Sequence, residues 1–158
     1  MIIIPFRKEF FRPQYPVGSV LVNDILYITL AKKALLKLLK KSFTHKTTGI
    51  DIWVKGSSGA ILGGMLATHL MKDYIVCVKH IKKPKESSHT SNSCLYGSNS
   101  KINIIIDDFI ESGKTINSIN DELKNKAITC DILIITNNLG LGTLTFEPEY
   151  VITTKWIK

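Results

Sequence analysis

Four short apolar runs limit most strongly what this chain can fold into: 50–54 (IDIWV), 74–78 (YIVCV), 102–106 (INIII) and 131–136 (DILIIT). Each is of strand length and predominantly apolar, so each reads as a strand. Helical stretches lie between them, at 59–71 (GAILGGMLATHLM) and about 115–126. Upstream, Ala31, Ala34, Leu35, Leu38 and Leu39 recur at the spacing of an amphipathic helix over 31–41, with lysines on what should be its solvated face. Strands alternating with helices predict an α/β fold, a parallel sheet flanked by helices on both faces. A last run, 150–154 (YVITT), predicts one more strand. Residues 1–30, rich in phenylalanine and broken by prolines, read as an irregular cap, with a small hairpin at Asn23 and Asp24.

No internal repeat or interdomain linker interrupts the pattern, and 158 residues with 44% hydrophobic content can bury one ordinary core. A single domain, 1–158, is expected. The segment 79–100 (KHIKKPKESSHTSNSCLYGSNS at 79–100) has no sustained period and is long for a connection inside a compact domain, which predicts a flexible functional loop. Cys77, Cys94 and Cys130 are widely spaced and form no CxxC pair, so they read as buried or neutral thiols in a reducing compartment. No apolar stretch approaches a membrane span or the core of a signal peptide, and a cytoplasmic location with no membrane partner is expected. The net charge of +8 favours an anionic partner. No helix-turn-helix segment or aromatic-interleaved basic patch accompanies that charge, which argues against nucleic acid.

The chemistry concentrates in 103–116, NIIIDDFIESGKTI. Its Gly113-Lys114-Thr115 suggests a nucleoside-triphosphate P-loop, but that motif needs a glycine five residues earlier, where Asp108 stands. Gly140-Leu141-Gly142 fails as a dinucleotide fingerprint because Thr145 occupies its third glycine position. What remains is a buried strand ending in two acids, then a small polar turn leading into a helix. Ligands of parallel sheets bind beyond the carboxyl ends of the strands. Free N–H groups at a helix start suit a phosphate, and adjacent carboxylates suit vicinal hydroxyls. Two neighbouring carboxylates repel each other, so the pair has little structural rationale without a ligand or metal.

This stretch resembles the signature of the type I phosphoribosyltransferases, in which apolar residues, two acids, two further apolar residues and a small-residue loop bind phosphoribosyl pyrophosphate (PRPP). Phe109 is bulkier than the usual aliphatic, and Glu111 replaces a commoner small residue, as in purine members of the family. Two further regions fit the resemblance: Lys55, Gly56, Ser57, Ser58 and Gly59 after the first core strand look like the pyrophosphate loop, and Lys79 with His80 looks like the basic pair that opens the catalytic flexible loop.

The resemblance covers roughly 31–136, with 1–30 and 137–158 left to form a hood over the acceptor base. It implies transfer of the ribose 5-phosphate of PRPP to a nucleobase, a purine being slightly favoured, with release of pyrophosphate. Asp107 and Asp108 would hold the ribose hydroxyls, Glu111 would exchange a proton with the purine, and Ser112, Gly113, Lys114 and Thr115 would hold the 5′-phosphate. Pyrophosphate would fall to Lys55, Gly56, Ser57, Ser58, Gly59 and Lys79. Mg²⁺ is the implied cofactor, with no direct protein ligand and with Asp107 and Asp108 reaching it through water. A homodimer is the expected assembly. A PRPP-binding regulator on the same fold, without transferase activity, is the competing reading.

Overall fold

The computed structural model describes residues 1–7, 20–43, 49–81, 101–107, 112–135 and 141–157. Six strands form one sheet: β1 (Ile2–Arg7), β2 (Gly49–Val54), β3 (Ile75–His80), β4 (Lys101–Asp107), β5 (Ile132–Ile135) and β6 (Tyr150–Ile157). Their order is β1-β6-β5-β4-β2-β3, and every neighbouring pair is parallel. Among the described residues three α-helices flank the sheet: α1 (Val20–Ser42), α2 (Gly56–Leu70) and α3 (Lys114–Asn125).

Burial on both sheet faces holds for β2 and β5 and follows from the strand pleat, which sends alternate residues to opposite sides, whereas β3, at the sheet edge, is exposed or half-buried throughout, with Ile75 52% exposed. Ile50, Ile52, Ile104, Ile106, Ile132 and Ile134 pack with α1 and α2. Trp53, Ile105, Leu133 and Ile135 pack with Ile116, Ile119 and Leu123 of α3. Gly59 and Gly63, one turn apart on α2, let that helix lie close against the sheet: a Cβ on Gly63 would stand 2.6 Å from Val54 Cγ1. Exposed Lys33, Lys37, Lys40 and Lys41 make the expected solvated face of α1. No helix among the described residues is long and apolar enough to cross a membrane.

Three expectations need correction. Asn23 and Asp24 lie inside α1, not in a hairpin, because the apolar stripe of Ala31, Leu35, Leu38 and Leu39 continues upstream through Ile28, and packing overrides the β-branched local preference. The start of the chain is not an irregular cap either: Ile2–Arg7 pairs with β6 as the outermost strand. Pro5 is tolerated there because an edge strand need not donate every N–H. Finally, Cys77 is disulfide-bonded and only partly buried on the edge strand β3, so it is no sealed thiol; the third cysteine, Cys94, lies outside the described residues. Cys130 does match the expectation of a neutral buried thiol. Burial pushes its pKa up to about 12, leaving no reactive thiolate near neutral pH.

Candidate active site

In an open parallel sheet, the two helices that leave neighbouring strands in opposite directions open a crevice at the carboxyl edge. β2 and β4 are such neighbours here: α2 carries the chain outward to β3, and α3 carries it the other way to β5. Both expected phosphate loops therefore meet at one place, a convergence that their separation of more than fifty residues in sequence conceals.

The two helix starts share one design. The α2 start is preceded by Lys55 in extended conformation, the α3 start by Gly113 in the left-handed region, and neither is capped by a side chain. Side-chain caps normally satisfy part of the orphan N–H array of a helix start. Left uncapped, those donors and the positive helix end suit an anion. Gly56 and Gly113 have φ of +76° and +68°, values that side-chain-bearing residues adopt only with strain.

Asp107 ends β4 and is 6% exposed. It lies against the first turn of α2, where a Cβ on Gly59 would stand 3.6 Å from its Oδ1 and 3.2 Å from the Ile106 carbonyl oxygen. A buried carboxylate thus faces the α2 start at the head of the strand that leads to the α3 start. Because no side chain caps α3, Asp107 is not there to begin the following helix.

Of the remaining expected residues, Ser112, Lys114 and Thr115 are exposed around buried Gly113, and Ser57 is exposed beside half-buried Ser58. Lys55 Nζ donates to Ser118 Oγ of α3 at 2.6 Å, linking the two loops across the crevice. Asp108 and Glu111 lie outside the described residues, as does the expected flexible loop from 82 onward.

The structure turns Lys79 away from this edge. Its ammonium lies 2.6 Å from Asp51 Oδ2 and 4.7 Å from the centre of the Trp53 ring. Trp53 Nε1 donates to Asn103 Oδ1, and the Asn103 N–H donates to Asp131 Oδ2. Burial raises the Asp131 pKa, with the Asn103 N–H acting in the opposite direction. Lys79 thus joins a polar chain across the middle of the sheet, whereas the sequence reading gave it to pyrophosphate.

Sequence reasoning missed Asn117, Ser118 and Thr143. The 3-10 turn Leu141–Thr143 lies against Gly113: a Cβ there would meet the Thr143 carbonyl oxygen at 2.9 Å. Nothing local marks 141–145 as a neighbour of the phosphate turn. Gly113→Ala is accordingly expected to lower stability by about 1–2 kcal/mol from the left-handed backbone alone, with further loss from the Thr143 contact. Ribose 5-phosphate binding should weaken with it. Chemical denaturation and titration calorimetry on the same sample check both outcomes.

No family model matches the chain, and no curated protein matches it in sequence. Solved structures do. The chain is similar to a hypoxanthine phosphoribosyltransferase from Staphylococcus aureus at 18% identity and TM-score 0.51, covering 90% of this chain and 84% of that one. It is also similar to an adenine phosphoribosyltransferase from Thermoanaerobacter pseudethanolicus at 16% identity and TM-score 0.55, covering 94% and 96%. The fold is that of the type I phosphoribosyltransferases. Identities this low carry the fold and not the activity, so what the phosphoribosyltransferase fold does in this chain is argued from the crevice itself.

Proposed function

We propose that the protein is a phosphoribosyltransferase that moves the ribose 5-phosphate of PRPP onto a nucleobase, a purine being favoured, and releases pyrophosphate. The observation that carries this reading is the pair of uncapped helix starts meeting beside the buried carboxylate of Asp107. PRPP carries phosphates at both ends of a ribose whose hydroxyls lie between them. Two helix starts that suit anions, with a carboxylate that can accept hydrogen bonds beside one of them, complement that arrangement.

In this reading the N–H groups at 112–115 hold the 5′-phosphate, while Asp107 and its neighbour Asp108 accept hydrogen bonds from the ribose hydroxyls. Lys55, Gly56, Ser57, Ser58 and Gly59 receive pyrophosphate. The partner of Lys55 is a neutral hydroxyl, so its positive charge is not cancelled by that contact. Displacement at C1 passes through a cation-like sugar, so binding the two ends in fixed geometry and keeping a carboxylate beneath the ring do most of the work. Glu111 is the residue suited to exchange a proton with a purine.

Magnesium fits the oxygen donors available at this edge. Magnesium usually keeps several of its waters, so Asp107 and Asp108 would hold it through them. When bound, it would neutralise charge on the departing pyrophosphate.

Titration calorimetry with PRPP and Mg²⁺ tests the binding. Pyrophosphate release with adenine, hypoxanthine, guanine, xanthine, uracil and orotate then tests the transfer. A purine is expected to give turnover. Binding without turnover on any base would favour a regulator on the same fold, and no binding would refute both readings.

A further inference from the structure

Asn117, on the first turns of α3, holds a segment distant in sequence with both ends of its amide. Its Nδ2 donates to the Thr143 carbonyl oxygen at 3.0 Å, and its Oδ1 accepts from the Thr145 N–H at 2.9 Å. A side-chain amide that donates and accepts at residues two apart fixes both the position and the register of that strip. The strip does not merely pass nearby. A Cβ on Gly113 would lie 2.9 Å from the Thr143 carbonyl oxygen and 3.2 Å from Asn117 Nδ2, so Gly113, Asn117 and Thr143 are in mutual contact. The Asn117 N–H in turn donates to the Gly113 carbonyl at 2.8 Å, closing the first turn of the helix.

Gly113 occupies a left-handed conformation with no side-chain cap to hold it. Glycine is the residue with most freedom to leave such a conformation. Something outside the turn must therefore hold it in the shape that aims the first N–H groups of α3 outward. The strip at 143–145 is in contact with it, and Asn117 ties that strip down.

We infer that Asn117 is a positioning residue: by clamping 143–145 against Gly113 it preorganises the turn that receives the 5′-phosphate, without touching the phosphate itself. The inference rests on the phosphoribosyltransferase reading of the crevice. Preorganisation of a binding turn raises affinity by removing the ordering penalty from the binding step. Both clamp bonds lie at the surface, so they add little to global stability, and their effect should appear as a selective loss at one end of the ligand.

Asn117→Ala removes the clamp. The probes are ribose 5-phosphate, which reports the α3 turn, and magnesium pyrophosphate, which reports the α2 start. Ribose 5-phosphate should bind about tenfold more weakly to the variant, the scale of one to two lost hydrogen bonds. Pyrophosphate affinity should be unchanged, and the Thr145 amide should exchange faster with solvent. Unchanged ribose 5-phosphate affinity alongside faster Thr145 exchange overturns the inference, as does an equal loss of both ligands. Failure of the unaltered protein to bind ribose 5-phosphate instead overturns the reading beneath it, which separates the two.

Discussion

Replacing Asp107 and Asp108 together by asparagine is expected to weaken PRPP binding on the order of 100-fold or more, since hydrogen bonds to charged groups contribute about 1.5–3 kcal/mol each and two lose their charged acceptor. Asparagine keeps the size and an acceptor but loses the charge that matches ribose hydroxyls and nearby magnesium. The fold should survive. Asp107 is 6% exposed, and asparagine matches aspartate in size, so the substitution leaves no cavity at this buried position. The double variant should therefore melt cooperatively near the temperature of the unaltered protein while failing to bind PRPP in a calorimeter. Retained affinity would remove the acids from the site.

Asp51→Ala should show the opposite pattern. Asp51 is 3% exposed in the middle of β2 and paired with Lys79, whose side chain retains 29% exposure. Breaking a buried pair by removing one partner typically costs about 3–5 kcal/mol. Lys79 can turn partly to solvent, which places the expected loss near the lower end, about 3 kcal/mol, or roughly 6–12 °C in melting temperature for a domain of this size. The lysine also lies over Trp53, so its departure disturbs a ring that packs against α3. PRPP affinity should hold at temperatures where the variant is folded. A stable variant that loses pyrophosphate would return Lys79 to the ligand, as the sequence alone suggested.

These two substitutions also mark where the sequence can and cannot be read. The setting of Asp107 was legible because it is local: an apolar strand, two acids and a turn entering a helix lie within fourteen residues, and Asp107 does stand buried at the end of β4. Lys79 was not, because a lysine at the end of an apolar run looks the same whether it meets a phosphate or a carboxylate. Its partner Asp51 is twenty-eight residues away, opposite neither end of the loop but on the neighbouring strand. The start of α1 was misread for a different reason. Its residues favour a strand locally, and only burial of Ile28 against the sheet shows that the helical stripe continues.

By itself the sequence determined the parallel α/β architecture, because runs as apolar as 102–106 are stable only when covered on both faces. It also placed the two adjacent acids just before a glycine turn entering a helix, because these neighbours lie in one short stretch of chain. The tertiary structure alone decided that the strand order brings β2 beside β4, so that two uncapped helix starts share one crevice with Asp107. It alone placed 143–145 against Gly113 under the hold of Asn117. Contacts across the sheet depend on strand order and on which face each residue meets, and neither is encoded at any single position.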